Sequence, residues 1–214
     1  GNVRPWDRTL YIKVVRGFLR EGDKITITFG DRSGGSPGMR LQTFCEDSYE
    51  FHTLIDPIAT YCYQPMPVQP VIKIIPGKPD RYLAVAPTIR AIDESFSIKF
   101  KGEDKWGNPS DQCDIQLYPR ASHPVQNLPD VISLKPGEFF GVIEGLSVAD
   151  AADLHIDFLD DAGVVMCRTN PIRIEPAPLS RHFWGDLHGQ SEETIGTGSA
   201  EAYFAFARDY AFVD

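Results

Sequence analysis

Apolar and polar positions alternate in two short runs near the start of the chain. Leu10, Ile12 and Val14 are separated by Tyr11 and Lys13, and Ile25, Ile27 and Phe29 by Thr26 and Thr28. A period of two puts one side on a core and the other toward water, so both runs predict β-strands. The stretch 30–38 (GDRSGGSPG) reads as a loop, and further strands are expected at 39–45 and 49–55. No apolar spacing of the helical kind occurs before about residue 145.

A second block begins at Pro76-Gly77-Lys78-Pro79, which suits a sharp turn or linker. Strands are expected at 82–86, 96–100, 115–117, 139–142, 154–158 and 164–166, separated by turn residues as in an antiparallel, immunoglobulin-like sandwich. Asp104-Lys105-Trp106-Gly107-Asn108-Pro109 reads as a tight structural turn, and its Asp spacing does not match a calcium loop. Pro176 and Pro178 then mark a stiff connector. Beyond it, 182–187 is strand-like and 189–198 is loop. Ser199 is placed to cap a helix whose apolar residues are Ala200, Tyr203, Phe204, Ala207 and Tyr210, with Glu201 and Arg208 suiting its dipole. Residues 211–213 look like the start of another strand, so the end of the chain reads as the opening of a βα repeat.

The fold class expected is therefore mainly β: an amino-terminal β-rich region (1–75), an immunoglobulin-like sandwich (76–178), and a terminal strand-helix piece (179–214). That last piece cannot bury a core alone, and the expectation is that sequence beyond Asp214, or another chain, supplies its missing neighbours. Composition narrows the function classes. With 21 Lys+Arg against 30 Asp+Glu the net charge is −9, which argues against nucleic-acid or anionic-membrane partners. No apolar run approaches the roughly 18 residues of a spanning helix. The 18 Gly and 17 Pro suit a turn-rich β protein. Residues 1–5 contain no apolar signal core, which leaves location weakly constrained, the cytoplasm being favoured over the periplasm. Cys45, Cys62, Cys113 and Cys167 show no CxxC spacing and read as four small buried thiols, two disulfides of unassigned pairing being the alternative if the protein is exported.

Candidate chemistry concentrates in 183–198. Asp186 and His188 lie two apart at the end of a strand-like run, so both side chains are expected to point the same way. An imidazole beside a carboxylate is a metal-ligand or orienting pair, and Glu192 and Glu193 are candidates for further oxygen ligands or a general base. His182 lies six residues before His188, close enough in sequence for a supporting role. His52 and His155 alternate with apolar neighbours and are expected on solvated faces, and His123 in a loop. Gly196-Thr197-Gly198-Ser199 reads as the turn into the helix rather than a phosphate loop, since it lacks the Lys and spacing of one. Neither a G-x-S-x-G elbow nor a Cys/His nucleophile pair is present.

The string FWGDLHGQSEETIGTGSAEAYFAFARDYAFVD resembles the opening of the PHP (polymerase and histidinol phosphatase) superfamily of metal-dependent hydrolases. More closely, it resembles a bacterial domain-of-unknown-function family related to it, and the β-rich portion with GDRSGGSPG and DKWGNP resembles that family's amino-terminal part. The resemblance covers the whole chain, but only about 30 residues belong to the barrel. It implies the first strand-helix of a truncated (β/α)7 barrel and a site holding divalent metal: zinc, manganese or iron. Metal-activated water would attack a small-molecule substrate, with a phosphorylated one compatible with the chain's acidity. By position in the D-L-H-x-H motif, His188 is the implied first ligand, and Asp186 a ligand or an orienting group. Gln190 stands where the second histidine would be, its amide oxygen a weaker ligand than imidazole. Remaining ligands would lie beyond Asp214, so residues 1–214 alone are expected to be inactive and to bind metal weakly. The competing expectation is a β-sandwich binding or scaffolding module without chemistry.

Overall fold

The structure, a computed structural model, describes residues 9–196 and 198–214. The chain divides into two compact units, the first ending at Gln42 and the second spanning Thr43–Asp214. In the first, turns supply the local order. Asp23 N donates to the Arg20 carbonyl at 3.0 Å while the Arg20 N–H returns to Asp23 Oδ2 at 2.7 Å, and Asp31 Oδ1 accepts from Ser33 N at 2.8 Å. The strands expected at 10–14, 25–29 and 39–45 are absent among the described residues. Alternation creates an apolar face, but a strand also needs a neighbour to take its N–H and C=O groups. Here Leu10, Ile12, Val14, Ile25, Ile27 and Phe29 are all exposed.

The second unit is mainly β, as its alternation predicts. Its first strands are β1 (Glu46–Glu50), β2 (Leu54–Ile55), β3 (Gln64–Pro65) and β4 (Val71–Ile74), which pair antiparallel as two ribbons, β1 with β4 and β2 with β3. The single strand expected at 49–55 is thus two. Then come β5 (Arg81–Val85), β6 (Ile89–Ala91), β7 (Phe96–Glu103), β8 (Ile115–Ala121), β9 (Ile132–Leu134), β10 (Phe140–Leu146), β11 (Ala152–Leu154), β12 (Ile156–Leu159), β13 (Val165–Arg168) and β14 (Ile172–Glu175). They form sheets ordered β10-β7-β5, β13-β12-β8-β9 and β11-β14-β6, antiparallel except for the parallel β6–β14 pair, and no sheet closes into a barrel.

One core joins the three sheets. Ile98, Leu117, Leu134, Leu146, Ile156 and Ile172 are almost completely buried, and Phe100 stacks on Phe158 with ring centroids 6.1 Å apart. Each such side chain is worth about 1.5–3 kcal/mol of burial. Two glycines are set by this packing. A Cβ on Gly141 would fall 2.3 Å from Phe100 Cζ, and one on Gly102 would fall 2.5 Å from Cys113 Sγ. All four cysteines are free thiols, but the expectation that all are buried holds only for Cys113 and in part for Cys167. Cys45 and Cys62 lie on segments outside the core sheets and are exposed.

The carboxy-terminal part departs furthest from expectation. No strand occurs at 182–187 or at 211–213. Ser199 does cap the helix, its Oγ accepting from Ala202 N at 3.1 Å, and α1 (Ala200–Phe206) continues as a π-helical turn, Ala207–Ala211. Phe212 then ends the helix in the left-handed conformation (φ 62°, ψ 32°) instead of starting a strand. Its ring is buried on the outer face of β7 and β10, at 6.0 Å from that of Phe140.

Candidate functional site

The loop 186–190 is built from short-range bonds, with α1 beside it at Gly189 and Asp214 beside the run that precedes it. Asp186 Oδ1 accepts the His188 backbone N–H at 2.8 Å, an Asx turn that replaces the expected strand end as the reason these two residues adjoin. Gln190 Nε2 lies 3.2 Å from His188 Nε2. An amide nitrogen only donates, so the imidazole accepts through Nε2, the lone pair a metal would use. Asp186, His188 and Gln190 are all exposed.

Two supports fix this loop, and neither is visible as a motif. The loop passes so close to α1 that a Cβ on Gly189 would lie 2.9 Å from Tyr203 Cζ, so a side chain there would displace the end of the Tyr203 ring. At the start of the loop, Trp184 N donates to Asp214 Oδ2 at 2.8 Å and Asp214 N donates to the Trp184 carbonyl at 2.9 Å. That pair of bonds sets the last residue after α1 beside the run that precedes the loop. Gly189 between His188 and Gln190 is the one signal the sequence offers for such a close approach.

The other predicted residues are not gathered around His188. Glu192 and Glu193 are exposed; the Glu192 N–H binds the Gly198 carbonyl at 2.8 Å and the Glu193 N–H binds Ser191 Oγ at 3.3 Å. Thr197, part of the Gly196–Ser199 stretch read from the sequence as the entry to the helix, lies outside the described residues. Among the described residues no group of three or more His, Cys, Asp or Glu side chains converges on a point where a cation would sit. A catalytic zinc needs about three protein ligands and an open position. The loop sets the Asp186 carboxylate on the His188 backbone N–H and the Gln190 amide on the imidazole, so the described residues do not by themselves fit a metal.

His182 lies elsewhere. It lines an open cleft of about 440 Å³ with Thr88, Ile89, Asp153, Pro171 and Arg173, where Arg173 Nε pairs with Asp153 Oδ1 at 2.9 Å. Of the remaining histidines, His52 is exposed and bonds Glu50 Oε1 through Nδ1 at 3.1 Å, while His123 and His155 are half-buried. The DKWGNP turn is structural as expected: the Asp104 carboxylate accepts backbone N–H groups from Gly77, Trp106 and Asn108.

No protein-family model matches the chain, and no curated protein matches it.

Proposed function

We propose that residues 179–214 open the catalytic part of a PHP-like metal-dependent hydrolase, and that residues 76–178 are an immunoglobulin-like sandwich supporting it. His188 is the first metal ligand, Asp186 orients the loop, and further ligands come from polypeptide outside residues 1–214 or from another chain. In such an enzyme the divalent cation supplies an activated water for attack on a phosphoester or related bond of a small molecule. The loop that carries the imidazole passes beside Tyr203 of α1 at Gly189, and Glu192 or Glu193 is the nearest candidate in sequence to carry a proton.

The observation that supports this reading best is the way the Asp186–His188 pair is held. The close approach of Gly189 to Tyr203 and the doubled bond between Trp184 and Asp214 give the loop that carries the pair a defined place beside α1. Phe183, Trp184, Leu187, Phe204 and Phe206 are exposed, apolar surface of the kind that neighbouring barrel units would cover. A second reading, a β-sandwich binding or scaffolding module, is favoured by the absence of a metal-ligating group among the described residues.

Elemental analysis of the full-length protein and of its His188→Ala variant separates the two. The hydrolase reading expects bound zinc, manganese or iron that falls in the variant. Equal metal content in both removes it.

A further inference from the structure

β7 carries a contradiction between sequence and burial. Phe96, Ile98 and Phe100 point into the core, so Lys99, Lys101 and Glu103 lie on the outer face, where charged side chains ordinarily meet water. Yet Lys101 is only 6% exposed and Glu103 only 5%. What covers Lys101 is the end of the helix. Its Nζ donates to the Tyr210 carbonyl, sits 4.9 Å from the centre of the Phe212 ring, and pairs with Glu103 Oε1 at 2.9 Å. Lys99 Nζ donates to the Arg208 carbonyl at 2.8 Å and lies 5.7 Å from the same ring. Phe139 and Phe140 meet Tyr210 edge-on at 5.4 and 5.9 Å. Two ammonium groups thus receive the carbonyl end of the helical segment, where its dipole favours cations.

This anchor continues to the candidate loop. Phe212 is the residue that turns the chain after the helix, Val213 N returns to the Ala207 carbonyl at 3.1 Å, and Asp214 then makes both bonds to Trp184, two residues before Asp186. Tyr203, on the same helix, bears on Gly189. We infer that Lys101 on β7 is a positioning residue for the 186–190 loop, acting through α1 and Phe212. Its meaning for catalysis rests on the reading of His188 as a ligand; the mechanical coupling does not.

The test uses the 214-residue chain and its Lys101→Met variant, which keeps the aliphatic stem and leaves Glu103 paired with Arg81. Amide hydrogen exchange, read by peptide, is expected to rise about tenfold in 200–214 and in 184–190 while β8 and β12 keep their protection. The His188 ring signal in the NMR spectrum is expected to move while those of His52, His123 and His155 stay. Lys101→Arg keeps a donor and a cation over Phe212 and is expected to bring both readouts back toward the starting protein. Unchanged exchange and an unmoved His188 signal in a folded Lys101→Met overturn the inference, as does faster exchange in the helix with none in the loop. If Lys101→Met does not fold, Lys99→Met decides by the same two measurements, with a smaller rise expected and no rise refuting. Loss of the metal reading, seen as equal metal in His188→Ala, leaves these outcomes unaffected, so the two failures are distinguishable.

Discussion

Replacing Asp104 removes the acceptor at which three stretches of backbone meet. Its carboxylate is buried, 4% exposed, with Oδ1 accepting from Trp106 N at 2.9 Å and Asn108 N at 3.0 Å and Oδ2 from Gly77 N at 3.0 Å. Asn108 Nδ2 reaches both oxygens, at 3.1 and 2.9 Å. Held there, Asn108 also donates to the Thr43 carbonyl at 2.8 Å and accepts from Cys45 N at 3.0 Å. A buried donor left without a partner costs about 1–3 kcal/mol. The turn lies near the surface and water will satisfy part of the loss, so Asp104→Ala is expected to cost about 3 kcal/mol. That corresponds to a fall in Tm of about 6–12 °C for a unit of this size. Asp104→Asn is expected to cost about 2 kcal/mol, because an amide NH2 cannot accept where a carboxylate oxygen did.

The sign with pH follows from the same contacts. Burial alone would raise the Asp104 carboxyl, but the Asn108 amide and the N–H groups of Gly77, Asn108 and Trp106 outweigh it and hold the group below the usual carboxylate range. A group depressed in the folded state stabilises fully above its unfolded value, near pH 4, and loses that contribution as pH falls through the folded value. Urea denaturation of the two variants and the starting protein at pH 7 and at pH 3, followed by tryptophan fluorescence, reads both effects. The gap between the starting protein and Asp104→Asn should be widest at pH 7 and narrow in acid. A cost below about 0.5 kcal/mol for Asp104→Ala, or a gap that does not change with pH, refutes the reasoning.

Two further outcomes follow from the packing. Gly141→Ala drives a methyl into Phe100, whose ring is fixed by Phe158, and is expected to lower the urea midpoint by the equivalent of about 1–3 kcal/mol with an unchanged slope; an unshifted midpoint contradicts the close approach. Alkylation of the native protein, followed by mass spectrometry, should mark Cys62 first and Cys45 more slowly, since desolvation and the nearby Asp104 raise the Cys45 thiol. Cys167, pushed up to about 12 by burial, and the buried Cys113 should resist until the chain unfolds; labelling of Cys167 at the rate of Cys62 would contradict its burial.

Where the pattern is strong and the neighbours are close, the fold is readable from residues. Phe96, Ile98 and Phe100 announce β7, and the strands around 82, 115, 140 and 165 appear as expected, while the single strand expected at 154–158 is split at His155 into β11 and β12, which belong to different sheets. β6 and β9, three residues each, are too short to show a period, and β14 hides because Ile174 looks like the start of the proline connector. The alternation at 10–14 and 25–29 misleads because period two states only which face is apolar, not whether another strand lies beside it. The same limit applies to the site. The Asp186–His188 neighbourhood is local, but its contact is an Asx turn onto the His188 backbone N–H and not the parallel pair of side chains on a strand end that the alternation suggests. The bonds from Trp184 to Asp214 span 30 residues, and the lysine on β7 meets Tyr210 across 109. No spacing rule reaches that far, so an outward lysine in a strand reads as solvated even where a helix end covers it.

The dependence among these parts runs in one direction. α1 has seven residues and its π-helical turn five, a length at which an isolated helix in water is marginal. Its persistence therefore draws on tertiary contacts, and those contacts are Lys99, Lys101, Phe139 and Phe140 on the outer face of one sheet. The loop in turn is held by the helix and by Asp214, and the run before it by the Arg181–Glu94 ion pair. The β-rich portion is thus the foundation on which the candidate ligand loop acquires a shape, rather than a neighbour that happens to precede it. That ordering applies to either functional reading. A hydrolase would need it to aim an imidazole, and a scaffold would need it to hold the exposed Phe183 and Phe204 in fixed places. Cutting the chain in the proline connector should therefore release a segment without stable helix, whereas an autonomous strand-helix unit would keep its helical circular dichroism after the cut.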